Sequence, residues 1–487
     1  MKKLLLLSTL LLTYIICVSQ DYPKPSNVLT PEEKVYGLSR FWSEARYNFV
    51  FMEKIGVPAW DSTYYAMLPQ AIGTKNDWEY YKLLQRFSAV LNDGHTGIIR
   101  FGTRLDQTEP DSIGAVFFPE RNGLFLEGNM RIGEIGGKIV VTLVNKNLAK
   151  KIPIFSEVLE VNHIPVEQYI TKYTMPYVSQ STDHIRRRVS IAEINRGLYG
   201  DKLYLQLKKP DGKRTEVELT FGGDSFDFPE GHDSYKKASS RGDELLSLEW
   251  LDNEVAHLCL NSFAGTKIIS EFEQVLPELR KAKAVIIDLR NNSGGSTNTG
   301  TAILKYFTPD KELYGSGSRT RQNISAYKAW GNWEGMTPQD TIGNEWAAKS
   351  YLAGKDLLYY DLGKDTLKVS LKESDRIVVP TAILTDYFTA SSAEDFLIYA
   401  DNQQHMKRIG SKTFGSTGQP MRVELVKGLW ARICTKDDSY PDGRAFIGVG
   451  VIPHIEVGTT IEDYKKNRDP VVEKALEYLQ EQLVQKK

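Results

Sequence analysis

Cysteine is nearly absent: 487 residues hold three. Cys17 lies in an N-terminal apolar run, while Cys259 and Cys434 each sit in a strand-like apolar stretch, VAHLCL and LWARICT. Two buried free thiols are expected in place of a disulfide framework, and neither has the neighbours of a metal site. Excess positive charge is missing too. There are 61 Lys and Arg against 62 Asp and Glu, a net charge of −1, and no basic stripe, so nucleic acid is not an expected partner. Beyond the N-terminus no apolar run is long enough to cross a bilayer. The chain has no internal repeat and no low-complexity segment. No cofactor and no metal are expected.

The N-terminus is the exception to the polar pattern. Lys2 and Lys3 precede LLLLSTLLLTYIICV, a charged segment followed by an apolar one too short for a membrane span, which reads as a secretory signal over residues 1–19 with cleavage near Gln20. Lipidation at Cys17 is the alternative and would be the sole route to a membrane. Ile15 and Ile16 fit the small-residue pattern for that modification poorly. An exported, periplasmic or extracellular protein is expected.

The remaining chain divides by texture. Residues 20–108 read as helical. Thr30-Pro31-Glu32-Glu33 is a helix start, and Tyr80, Leu83, Leu84, Phe87 and Leu91 keep helical spacing up to Asn92-Asp93-Gly94-His95-Thr96-Gly97, with Gly94 in the place of a stop. Residues 109–222 turn to short strands. KIVVTLV, FSEVLEVNHIPVEQYI and the hairpin LYLQLKKPDGKRTEVELT resemble a PDZ-like module, which implies docking of an extended peptide at a sheet edge. A polar, Gly- and Ser-rich linker covers 223–244. Residues 245–487 alternate strands and helices and predict an α/β core. Within it, the stretch from Tyr306 to Asp375 is rich in Trp and Tyr and reads as loops lining a groove or as a flap. An amphipathic helix after Asp469-Pro470 ends the chain.

Two stretches carry chemistry. In the first, RIVVPTAILTDYFTASSAEDFLIYA, a buried strand gives way to a polar turn and then a helix, so a serine stands where backbone N–H groups are unpaired. Its plain reading is a helix cap, Ser391 or Ser392 with Glu394. In the second, AVIIDLRNNSGG, another buried strand ends in paired glycines that can present amides to an anion, above an Asp288–Arg290 ion pair. Together, DLRNNSGG and TASSAEDF resemble the tail-specific, or C-terminal processing, serine peptidases, a family that includes the tricorn core. The LNDGHTG stretch extends the resemblance to the helical region. The implied architecture is α/β multidomain: an N-terminal helical region, a PDZ-like β module and a C-terminal spiral ββα, crotonase-like peptidase core.

The resemblance implies Ser391 as nucleophile, with an oxyanion hole from the Ser392 amide and one of Gly294 or Gly295. In the processing peptidases proper, the base is a lysine following T-F-G. Here Thr413-Phe414-Gly415 is followed by Ser416, too weak a base, and Lys412 does not match. The tricorn-like branch uses a histidine from ahead of the PDZ-like module, which falls on His95. The orienting group stays open among Glu394, Asp442, Asp93 and a neutral side chain, because the matching position near the C-terminal G-V-x-P is Ile447. The expected activity is an exported serine endopeptidase acting on extended peptides or unfolded proteins. The competing reading is a catalytically weakened ligand- or peptide-binding protein on the same fold. A hydratase-like enzyme on the related spiral fold is disfavoured by the signal and the inserted module.

Overall fold

The computed structural model describes residues 27–99, 130–198, 200–221, 244–251, 254–333, 335–426 and 428–485. The expected signal with Cys17 and Gln20, residues 109–129 of the module, and 223–243 of the linker lie outside the described residues.

Three long helices, α1 (Pro31–Asn48), α2 (Val57–Ile72) and α3 (Asp77–Ala89), form the first unit, with a single turn at Met52–Ile55 between the first two. The start of α1 is a capping box, in which the Glu33 amide donates to Thr30 Oγ1 at 3.2 Å and the Thr30 amide donates to Glu33 Oε2 at 2.9 Å. Helical spacing puts Leu38, Phe41 and Ala45 inside, where Trp60 of α2 stacks on Phe87 of α3 with ring centroids 4.2 Å apart. Gly94 does not end a helix, since α3 stops at Ala89. A Cβ at Gly94 would instead lie 2.6 Å from the Phe414 ring and 3.1 Å from both Gln180 Oε1 and Ser416 Cβ. Next comes the two-residue β1 (Gly97–Ile98).

The second unit is a sheet in the order β2 (Met130–Ile135), β3 (Lys138–Val144), β4 (Glu157–Val161), β5 (Lys202–Lys208), β6 (Arg214–Thr220). Helix α4 (Asp183–Ala192) packs on β2. The PDG turn joins β5 to β6 as an antiparallel hairpin with Lys208 opposite Arg214. This unit has its own core, with Val141, Val161, Leu205 and Val217 among its members.

The α/β core contributes, in chain order, β7 (Leu246–Trp250), β8 (Val255–Leu260), β9 (Ala284–Asp288), α5 (Thr297–Leu304), β10 (Glu312–Arg321), β11 (Tyr359–Lys368), β12 (Thr381–Thr385), α6 (Ser392–Tyr399), β13 (Met406–Gly410), β14 (Pro420–Val426), β15 (Leu429–Cys434), β16 (Asp437–Ser439), β17 (Ile455–Glu456) and α7 (Pro470–Gln485). The main sheet runs β17-β13-β12-β9-β8-β7, parallel except for the β7–β8 pair. Its central strands β8, β9 and β12 are buried at every position because both faces are covered. Ile287 and Ile383 face the larger core, while Ile286, Ala382 and Leu384 pack toward α7. The aromatic stretch after Tyr306 is not loop-rich. It builds the β10–β11 hairpin with short helices Ser325–Gly331 and Glu345–Gly354 between its strands. Two small sheets complete the core, β1-β15-β14 and β11-β10-β16.

Candidate active site

In a parallel sheet the loops at the carboxyl ends of neighbouring strands share one edge, where ligands gather. Strands β9, β12 and β13 are neighbours, and their exits carry residues 289–295, 386–391 and 411–416. The first two loops are stitched together. Asp386 Oδ1 accepts from the amides of Asn291, Phe388 and Thr389 at 3.1, 2.9 and 3.0 Å. The Ala390 amide donates to the Asn292 carbonyl at 3.0 Å.

Ser391 leaves this turn with φ 56° and ψ −126°, a left-handed setting that a non-glycine residue adopts at a cost of about 1–3 kcal/mol. The strain lifts the serine out at the helix N-terminus. Its plain reading as a cap is also realised: the Ser391 amide donates to Glu394 Oε2 at 3.2 Å, and the Glu394 amide donates to the Ser391 carbonyl at 2.7 Å. Yet Glu394 does more than cap. Fully buried, its carboxylate also accepts from the amides of Gly415 at 2.7 Å and Ser416 at 3.1 Å, and from Thr413 Oγ1. Burial pushes this carboxyl up to about 8, and the four donors pull the other way. Since every contact is a donor, the shell matches the ionised form.

The paired glycines divide their work. The Gly294 amide is spent on Asn292 Oδ1 at 2.9 Å. The amides of Gly295 and Ser392 have no hydrogen-bond partner among the described residues. Gly294 makes the close approach. A Cβ there would lie 2.8 Å from Ser391 Cβ and 2.9 Å from the Ser392 nitrogen. Gly295 is bound by sterics as well, because a Cβ would strike the Phe263 backbone at 2.2 Å.

His95 comes from the helical unit, 321 residues before its ring partner. Its Nδ1 lies 2.7 Å from Ser416 Oγ. With the ring proton on Nδ1, the imidazole donates to that hydroxyl and Nε2 is the basic nitrogen. The Ser416 amide, in turn, donates to the Glu394 oxygen that also accepts from Ser391, so one carboxylate ties the Ser391 turn to the loop that holds His95. Burial pushes His95 below the ordinary histidine value. Asp93 pulls it back, Arg432 adds to the fall and Asp438 opposes it.

None of the three candidate acids hydrogen-bonds the imidazole. Asp93 is buried, but its Oδ2 accepts from the His95 backbone amide at 3.1 Å and its Oδ1 accepts from Ser181 Oγ at 3.1 Å. Glu394 reaches only the Ser416 amide on that side. Asp442 is exposed and held by Arg444 Nε at 2.7 Å. Sequence reasoning missed Ser416 as a ring partner, since the hydroxyl was weighed only as a replacement for lysine. The signal was present: a hydroxyl residue stands where the family resemblance calls for a charged one.

Elsewhere in the core, atoms of His257, Cys259 and Asp288 lie within 4.8 Å of one another, a grouping that local spacing did not reveal. His257 Nε2 is 3.1 Å from Asp288 Oδ2, which also accepts from Arg290 Nη2 at 2.7 Å. Burial would lower His257, yet hydrogen bonding to Asp288 outweighs it and raises it to about 9. Asp288 is also held by Arg290 through Nε and Nη2, so the group forms a hydrogen-bonded ion-pair network beneath the 289–295 loop.

Residues 254–457 match the family model of Peptidase family S41. The fold is similar to that of mature CPAF complexed with lactacystin, at 14% identity and TM-score 0.64, covering 93% of this chain and 97% of that one. It is also similar to a putative peptidase from Parabacteroides merdae ATCC 43184, at 15% identity and TM-score 0.51, with coverage of 93% and 97%. At these identities the structural likeness speaks for the fold. No curated protein matches the chain.

Proposed function

Residues 254–457 match the family model of Peptidase family S41, and we propose that this chain is a serine-type peptidase of that family with Ser391 as its nucleophile and His95 as its general base. The observation that carries the assignment is Ser416, whose backbone reaches Glu394 beneath Ser391 and whose hydroxyl holds His95 Nδ1 at 2.7 Å. Ser391 Oγ attacks the scissile carbonyl carbon as its proton passes to His95 Nε2. The carbonyl oxygen takes up the negative charge and is met by the Gly295 and Ser392 amides. When the C–N bond breaks, His95 returns the proton to the leaving amine, leaving an acyl-enzyme on Ser391. Water then hydrolyses the ester with His95 again as base. A histidine base aligns the chain with the tricorn-like branch of the resemblance.

A serine-directed phosphonate tests the reading. One adduct is expected, on Ser391, formed much more slowly in His95→Ala. Modification at another serine overturns the assignment. The alternative, a weakened catalyst that mainly binds peptide, is favoured by one observation: a neutral hydroxyl, not a carboxylate, holds the imidazole.

The substrate is an extended polypeptide met outside the cytoplasm. The N-terminal Lys2-Lys3 and apolar run support export, and intact mass of the mature protein checks it: a chain starting near Gln20 is expected, and a lipidated start at Cys17 would replace the soluble form with an anchored one. The unit expected over residues 109–222 acts as a PDZ-like docking module. Support comes from the separate core and from α4 packing on β2, the end strand of that sheet among the described residues. Equal cleavage of one scissile sequence with and without a long C-terminal tail would count against docking.

A further inference from the structure

A slot of about 340 Å³ opens beside His95. Gly94 and Thr96, the neighbours of His95 in sequence, line it, and residues 97–99 form one wall against residues 177–180 on the other. The first wall is a sheet edge, because β1 pairs only with β15 among the described strands. The Ile99 amide donates inward to the Trp430 carbonyl at 2.8 Å, so alternation turns the N–H and C=O of Ile98 outward. An extended chain entering the slot finds a backbone donor and acceptor there.

Arg432 gives the slot its charge. It stands opposite Gly97 on β15, and Nη2 donates to the Gly94 carbonyl at 2.7 Å. Among the described residues it forms no ion pair, and its side chain reaches solvent through the slot. The acid in the lining, Glu193, is already paired with Arg196 at 2.6 Å. Across the slot, Gln180 Oε1 is buried without a hydrogen-bond partner among the described residues. A guanidinium with no ion pair among the described residues, its charge met in part by the buried Asp93, stands in a narrow slot with a strand edge and fits an extended peptide bearing a carboxylate.

We propose that Arg432 is a specificity residue that recognises a carboxylate of the substrate in the slot between residues 97–99 and 177–180. This rests on the peptidase reading. The carboxylate is either the chain terminus or an Asp or Glu side chain. Binding it also screens the positive charge that Arg432 holds near His95.

Three peptides sharing one scissile sequence test the inference: a free C-terminal carboxylate, a carboxamide, and a carboxamide with a Glu near its end. Wild type is expected to prefer one carboxylate-bearing peptide over the plain carboxamide by about ten- to a hundredfold in kcat/KM, the worth of a charge-assisted contact. Whichever it prefers identifies the source. Arg432→Gln, which keeps an amide to donate to Gly94, should shrink that ratio to near one, and Arg432→Lys should restore part of it. The ratio cancels any general loss from a disturbed His95. Preference that persists in Arg432→Gln, or its absence in wild type, overturns the proposal. Failure of wild type to cleave any of the peptides would strike the peptidase reading instead. In that case, equal affinity of Ser391→Ala protein for carboxylate and carboxamide peptides, read by fluorescence anisotropy, overturns the slot on its own.

Discussion

Replacing Ser416 with alanine separates holding the base from being the base. In the resting enzyme His95 Nδ1 and Ser416 Oγ form a neutral hydrogen bond 2.7 Å long. In the proposed mechanism His95 takes the proton from Ser391, and that bond then becomes charge-assisted and roughly doubles in strength. The gain made only in the transition state is therefore about 1–1.5 kcal/mol, and Ser416→Ala should lower kcat about tenfold with little change in KM. His95→Ala removes the proton acceptor itself and should cost at least about a hundredfold. The pH profile supplies the second readout. Burial depresses His95 below 6.5, and the base must be neutral, so kcat/KM should rise with pH through a midpoint below 6.5 and stay flat above it. Stopped assays on one fluorogenic peptide from pH 4.5 to 8 give both quantities. Equal losses in the two variants would show that Ser416 carries the proton, and a midpoint above 7 would mean that a carboxylate faces the ring.

Gly294→Ala should abolish phosphonate labelling of Ser391. A Cβ would sit 2.7 Å from the Ala390 carbonyl and 2.8 Å from Ser391 Cβ at a φ of +95°, and circular dichroism with intact-mass labelling tells a displaced turn from an unfolded chain. His257, raised to about 9 against an unfolded value of 6.5, contributes stability that is fully present below pH 6.5 and is lost as pH rises through 9. The total is about 3 kcal/mol, so urea midpoints should fall between pH 6 and 10 more steeply in wild type than in His257→Gln; parallel curves would remove His257 as the titrating group.

Local chemistry was legible where it is local. Thr30 and Glu33 announce a helix start by their own side chains, and the strand–turn–helix around Ser391 follows from apolar residues giving way to small and polar ones. What could not be read depends on distant packing. Gly94 has the spacing of a helix stop, but the need for glycine arises from Phe414, Gln180 and Ser416, which meet it only after folding. The β10–β11 hairpin was hidden for a different reason. Strand β11 is exposed on both faces along most of its length and carries a register break, so YYDLGKDTLK lacks the alternation of a half-buried strand.

The two sides of the candidate site are held by unlike means, and this explains why one was easier to read. Ser391, Gly294 and Ser416 exit neighbouring strands of one parallel sheet, so a single rigid element fixes them. His95 is held by three separate parts of the chain. Arg432 Nη2 donates to the Gly94 carbonyl, and the Cys434 amide donates to Thr96 Oγ1 at 2.9 Å, both from β15. From the module side, Ser181 Oγ accepts from the Gly94 amide at 2.9 Å and Ser179 Oγ donates to the Asp93 carbonyl at 2.9 Å. The same segment reaches the third part: Thr182 Oγ1 donates to the Phe414 carbonyl at 3.1 Å and His184 Nε2 donates to the Thr413 carbonyl at 2.9 Å. The short stretch before α4 thus bonds both to the turn that carries His95 and to the loop that carries Ser416. A displacement of α4 is therefore expected to reach His95 through Ser179 and Ser181, whereas Ser391 and Ser416 are both fixed by the sheet and by Glu394.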